Sequence, residues 1–211
     1  MLNMIEARVL GSLMEKERTT PDQYPLTLNA LVTACNQATS REPVMHVDDH
    51  EVEAALGSLK AQGLLRFVHP AHGRSVTRFR QVATEAWGLG EPAAAVVAVL
   101  LLRGPQTVAE LRSRTERQHV FGSSDEVEAV LRELAAGERA QLLERQPGQK
   151  EARWQQLLAE EAEVTVSAVA QGEPRAATGS MADRVAQLEA RVARLEAALA
   201  DLLPDSADAG E

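Results

Sequence analysis

Glu51-Val52-Glu53-Ala54-Ala55-Leu56 recurs as Glu126-Val127-Glu128-Ala129-Val130-Leu131, an offset of 75 residues (51 to 126). Each copy follows a helix-start signal, Asp48-Asp49-His50-Glu51 in the first and Ser123-Ser124-Asp125-Glu126 in the second. Each precedes a glycine, Gly63 or Gly137, and then a short pattern of two strands. A repeat of this length marks a duplicated supersecondary unit. Read outward from the third helix, both copies give helix, helix, helix, hairpin, the order of a winged helix.

In the first copy, Asn3-Met4-Ile5-Glu6 has the form of a capping box, and Ile5, Val9, Leu10, Leu13 and Met14 follow at helical spacing, predicting a helix to about Glu17. Pro21 and Pro25 break the chain before a second helix with Leu28, Leu31, Val32 and Cys35 on its apolar stripe. Residues 64–69 and 75–82 alternate around Pro70-Ala71-His72-Gly73, predicting a hairpin. In the second copy, Glu91-Pro92 opens a helix that Gly104-Pro105 stops, and Thr107-Val108-Ala109-Glu110 is another capping box. Residues 141–145 and 151–157 flank Pro147-Gly148 as the second wing.

The fold class read from these signals is mainly α with small β-hairpin wings (α+β): two tandem winged-helix domains plus a C-terminal coiled-coil helix. The boundaries expected are 1–84 and 85–159 for the two domains, 160–180 for a linker, 181–203 for the coiled coil and 204–211 for a disordered tail. Met181, Val185, Leu188, Val192, Leu195, Leu199 and Leu202 alternate spacings of four and three. With valine at two a positions and leucine at d, that seam favours a homodimer, with Val185, Leu188, Val192, Leu195, Leu199 and Leu202 as the dimerisation residues. The other reading of the same pattern is an amphipathic helix that docks on its own chain.

At 211 residues and 45% apolar, the chain can bury one or two small cores, and with 3% aromatics these are built from Leu, Val and Ala. No apolar run approaches the length of a membrane span, no secretory signal pattern opens the chain, and Cys35 is the only cysteine. A cytoplasmic protein without membrane association is expected. The net charge of −9 is unevenly placed: residues 160–211 hold four Lys/Arg against eleven Asp/Glu, whereas residues 1–82 hold nine of each. The global charge therefore does not exclude nucleic acid for the repeats.

Thr20-Pro21-Asp22-Gln23-Tyr24-Pro25-Leu26, Asn29-Ala30-Leu31-Val32, Cys35-Asn36-Gln37 and Ser40-Arg41-Glu42-Pro43-Val44 resemble the YceH-like family of bacterial proteins. Leu100-Leu101-Leu102-Arg103-Gly104-Pro105-Gln106-Thr107 and Glu110-Leu111-Arg112 resemble the second module of that family. The resemblance covers about residues 4–158. It implies two tandem winged-helix domains and no particular activity.

Between residues 54 and 84 there is no acidic residue, whereas Lys60, Arg66, Arg74, Arg78 and Arg80 supply five positive charges. On a hairpin, Arg78 and Arg80 share a face and Arg74 sits near the tip, which suits phosphate contacts. The other reading is a solvated wing. On the second helix, Asn29, Thr33, Asn36 and Gln37 lie opposite the apolar stripe with Arg41 just after it, residue types that read base edges or, equally, satisfy nearby backbone. The third helices carry carboxylates at their N-terminal halves and are poorly suited to a major groove. His46/His50 and His69/His72 lack the further ligands of a metal site, and nucleophile and phosphate-loop strings are missing.

No enzymatic activity, cofactor or metal is expected. The leading expectation is binding of double-stranded DNA, as in a transcriptional regulator, through the first wing and helix two. The alternative is a non-enzymatic protein-interaction scaffold built from tandem winged helices, gripping a protein partner that the sequence does not identify.

Overall fold

A computed structural model describes residues 1–69 and 76–160. The first repeat comprises α1 (Met4–Thr19), α2 (Leu28–Cys35), α3 (Asp49–Ala61) and the strands β1 (Leu65–Val68) and β2 (Arg78–Gln81). A four-residue helix, α4 (Ala83–Ala86), leads into the second: α5 (Glu91–Arg103), α6 (Val108–Thr115), α7 (Ser124–Ala136), β3 (Ala140–Leu142) and β4 (Trp154–Gln156). Among the described residues the protein is mainly helical with two small antiparallel hairpins, and three helices followed by a hairpin occur twice.

Local chemistry sets the helix starts. The Asn3 side chain accepts from the Glu6 amide at 2.9 Å while the Asn3 amide donates to the Glu6 carboxylate at 2.8 Å, so two otherwise orphan donors are satisfied at α1. Asp48 with Glu51 repeats this at α3, and Thr107 with Glu110 at α6. At α7 the device changes. Ser123 caps the helix, but the Glu126 carboxylate reaches back to the Gly122 amide at 2.8 Å.

The hairpins are in the same register. Arg66 pairs with Arg80 and Phe67 with Phe79 in the first; Gln141 pairs with Gln155 and Leu142 with Trp154 in the second, each 75 residues on. Both wings also gain a third, one-residue rung that the sequence reading missed. Leu26 exchanges two backbone bonds with Phe79 (3.1 and 2.7 Å), and Gln106 exchanges two with Trp154 (2.9 and 2.7 Å). Two buried strand edges are thereby covered by the segment that leads into α2 or α6.

The two repeats share one core, and residues Met1–Ala162 form a single compact unit. Helix α5 buries every residue over 94–102, and α1 buries every residue over 6–14, so both helices are surrounded rather than amphipathic. They meet closely at Gly11, where a Cβ would lie 3.0 Å from Leu102 Cγ. Two further ties bind the repeats together. The Glu42 amide donates to the Leu102 carbonyl at 2.8 Å, and Leu2 pairs in parallel with Ala159, its amide donating to the Leu158 carbonyl at 2.9 Å. The expected boundary between residues 84 and 85 falls inside α4. The linker, coiled coil and terminal tail expected beyond residue 160 lie outside the described residues, as do the dimerisation residues Val185, Leu188, Val192, Leu195, Leu199 and Leu202.

Candidate nucleic-acid interface

The β1–β2 hairpin has an inward face of Leu65, Phe67, Phe79 and Gln81 and an outward face of Arg66, Val68, Arg78 and Arg80. Phe67 and Phe79 meet edge to face at 5.0 Å between ring centres, which fixes the register from inside. Arg66 and Arg80 are therefore directly opposite each other on the outward face. Like charges in that relation destabilise a hairpin. The Glu85 carboxylate, from α4, accepts from Arg80 at 3.1 Å and relieves part of the repulsion, but both side chains of that pair are well exposed. Arg66 is exposed and has no ion-pair partner among the described residues.

Arg78 is exposed, yet it is also a structural side chain. Its guanidinium donates to the Pro25 carbonyl at 2.8 Å, holding the wing to the segment before α2. The second repeat has the same contact: Arg153 donates to the Pro105 carbonyl at 2.9 Å. Arg153 is further neutralised by Glu110 at 2.9 Å, whereas Arg78 has no carboxylate partner among the described residues. The 75-residue repeat could have revealed this pairing of Arg78 with Arg153 in the sequence. Lys60 sits apart from these three, its ammonium 4.3 Å from the centre of the Phe67 ring, a cation–π contact on the α3 side of the hairpin. Arg74 lies outside the described residues.

Helix α2 contributes less than its sequence suggests. Asn29 and Thr33 are exposed, although the Thr33 hydroxyl donates to the Asn29 carbonyl at 2.8 Å. Asn36 must be removed from the interface: its amide donates to the Val47 carbonyl and its oxygen accepts from the Val47 amide, both at 2.8 Å. It mimics a backbone rung and anchors the end of the α2–α3 connection. Arg41 must be removed as well. Its side chain is fully enclosed and forks onto Glu15 at 2.6 and 3.3 Å while donating to the carbonyls of Ala34 and Ser40. The reason in both cases is tertiary: the long connection folds back over α1 and needs donors of its own. Gln37 is half-buried and accepts from Lys16 at 3.4 Å.

The buried ionisable groups serve packing. Burial pushes the Cys35 thiol up to about 11, the Ser12 hydroxyl partly offsetting this, so Cys35 is an unreactive core side chain. Burial, with the charge of Arg41, lowers Arg8 to about 10; its guanidinium bonds the carbonyls of Cys35 and Pro43 at 3.1 and 2.5 Å. Among the described residues no group of His, Cys, Asp and Glu is placed to hold a metal ion, and no helix is long and apolar enough to cross a membrane.

Residues 2–149 match the family model described as "Protein of unknown function, DUF480". A UPF0502 protein of Solibacter usitatus (strain Ellin6076) is 50% identical over 189 residues, 89% of each chain. UPF0502 proteins of Polaromonas sp. (strain JS666 / ATCC BAA-500) and Dechloromonas aromatica (strain RCB) are 52% and 45% identical, covering 77% and 90% of this chain and 70% and 93% of theirs. With the family model spanning well over half of the sequence and relatives of this identity along nearly all of it, the chain belongs to the DUF480 family of UPF0502 proteins, the YceH-like family that its TPDQYP string resembles.

Proposed function

We propose that this protein is a non-enzymatic, cofactor-independent, cytoplasmic DNA-binding protein that engages duplex phosphates through the outward face of its first wing, as a transcriptional regulator would. The observation that carries this reading is the opposed Arg66–Arg80 pair with Arg78 beside it. A cross-strand pair of like charges costs stability in the free protein and is relieved by an anion between the two guanidinium groups. Where the second wing has the same two register positions, it places Gln141 and Gln155. Asn29 and Thr33 on α2 are the remaining exposed polar groups of the proposed interface, and Lys60 flanks it. A homodimer through the heptad seam at 181–203 would bring two first wings to one duplex and raise avidity.

The test is fluorescence anisotropy of a labelled random duplex at several salt concentrations. Arg66→Gln with Arg80→Gln removes both charges and keeps polar side chains at the two paired positions, and an unchanged thermal midpoint shows that the hairpin is retained. The expected result is a loss in affinity of about tenfold, on the order of 1.4 kcal/mol, with a shallower salt dependence. Unchanged binding in that variant sinks the wing model. The stronger perturbation, reversing Arg74, Arg78 and Arg80 to Glu, abolishes binding on the same reading.

A second reading, a scaffold for a protein partner, is favoured by one surface of the second repeat. Val120 is 70% exposed beside a shallow recess of about 450 Å³ lined by Arg112, Ser113, Glu116 and Phe121. Carboxylates Asp125 and Glu126 open the neighbouring α7. No duplex binding at low salt, together with retention of a specific protein on the immobilised chain, would favour it.

A further inference from the structure

A cleft of about 340 Å³ lies where the C-terminal ends of α1 and α6 and the connection after α2 come together. Lys16, Arg114 and Arg117 line it from both repeats, with Gln37, Ser40 and Gln118 between them. Arg103 adjoins it, its guanidinium donating to the Ser40 hydroxyl at 2.6 Å. The carboxylate that lines the cleft, Glu15, is already engaged by Arg41 at 2.6 Å and by Lys16 at 3.4 Å. Positive charge is therefore in excess. Arg103 shows the strain electrostatically: burial, and then the like charge of Arg114, lower its guanidinium from the ordinary value.

Cations at helix C-termini have an ordinary use, which is to complement the helix dipole. That use predicts contacts to the terminal carbonyls. Arg18 makes one, to Met14 at 3.3 Å. The cleft cations do not: Lys16 turns to Gln37 and Glu15, Arg114 reaches Glu110 at 3.5 Å, and Arg117 has no ion-pair partner among the described residues. Gln118 keeps a buried side-chain oxygen with no donor among the described residues. Ser40, which lines the cleft, has a backbone φ of +62°, a conformation a serine rarely adopts.

We infer that this cleft binds a small phosphorylated metabolite carrying at least two anionic groups, gripped between Lys16 of the first repeat and Arg114 and Arg117 of the second. Lys16 and Arg114 keep only long contacts, 3.4 and 3.5 Å, to Glu15 and Glu110, which are shared with Arg41 and Arg153, and Arg117 has no ion-pair partner among the described residues, so the three cations suit a phosphate pair better than a single carboxylate. The concavity and volume suit a small molecule, in the lower part of the range for ligand pockets. The lining has no aromatic ring, which disfavours recognition by base stacking. Because residues of both repeats hold it, the ligand would cross-link them. Apart from Gln37, the site shares no residue with the proposed duplex interface.

Inorganic pyrophosphate is the probe, titrated calorimetrically into the full-length chain at low salt. Saturable binding at one pyrophosphate per chain is expected, with Lys16→Gln plus Arg117→Gln weakening it about tenfold or more, the loss of roughly 1.4 kcal/mol or more in charge-assisted contacts. Arg66→Gln with Arg80→Gln leaves it unchanged, which separates this site from the wing. Equal thermal midpoints of the cleft variant and the wild type without pyrophosphate show that the variant is folded. No heat at millimolar pyrophosphate, or equal binding by the folded cleft variant, overturns the inference. Loss of duplex binding in the cleft variant, with pyrophosphate inert, also overturns it and assigns the cations to nucleic-acid phosphates.

Discussion

The first and second wings are the same hairpin with different surfaces. Register, third rung and the arginine that bonds a proline carbonyl all repeat: Arg78 to Pro25 in one and Arg153 to Pro105 in the other. What differs is the side chains at the matching register positions, outward Arg66–Arg80 against Gln141 and the buried Gln155, and the acid Glu110, which silences Arg153 and has no counterpart beside Arg78 among the described residues. Backbone pairing preserves a hairpin whatever its exposed side chains are. Duplication therefore leaves the scaffold fixed and frees one copy's surface to change. The same lesson applies to the connections after α2 and α6. The first is long, folds over α1 and has its own buried ion pair, whereas the second is short and is closed by Arg112 donating to the Gly122 carbonyl at 3.1 Å.

That asymmetry can be broken at its strongest point. Glu15→Gln leaves the enclosed Arg41 guanidinium without its counter-charge, and unfolding in urea should show a loss of about 3 kcal/mol or more. Burial alone would raise the Glu15 carboxyl, but hydrogen bonds and charge from Arg41, helped by Lys16, leave it below its ordinary value of 4.5. A folded-state value below the unfolded one means that the stabilisation is complete above about pH 4.5 and is lost as pH falls through the lower folded value. The wild type should lose this contribution on acidification and Glu15→Gln should not. Parallel pH profiles for the two proteins would refute the ion pair as the lock on the long connection.

Asn36→Ala removes both bonds to Val47 and strands two backbone groups, so a loss of roughly 2 kcal/mol is expected in the same assay, with duplex affinity unaltered. A fall in affinity at unchanged stability would return Asn36 to the proposed interface. The smallest effect tests the other end of the wing. The Tyr24 hydroxyl accepts from the Gln81 amide at 2.7 Å, a contact for which the second repeat, with Gly104 at the corresponding place, has no equivalent. Tyr24→Phe should cost about 1 kcal/mol by thermal unfolding. No change would mean that the first wing depends on Tyr24 no more than the second depends on Gly104.

Much of the scaffold was legible because its causes are local. Capping residues, proline breaks and the 3.6-residue stripe act within a few positions, and they placed α1 to within two residues and α2, α3 and α7 close to their observed bounds. Strand ends were overextended, because alternation continues beyond the last cross-strand bond, and that bond depends on the partner strand. Of the residues of the proposed interface, Arg66 and Arg80 stand out in the sequence by the absence of acid around them. Asn36 and Arg41 could not be sorted from Asn29 and Thr33, since all sit on one polar side of the same segment and only the path of the connection decides which are enclosed.

By itself, the sequence determined the duplication, the order of elements in each copy and the segregation of basic charge onto the first wing, because these follow from periodicity, capping and composition. Tertiary structure decided that the two copies share a core, that α1 and α5 touch through Gly11, that Leu2 closes onto Ala159, and that a basic cleft forms between the repeats. Each of these joins residues far apart in the chain. Their partners are selected by close packing and by the need to satisfy buried polar groups, and neither leaves a local mark in sequence.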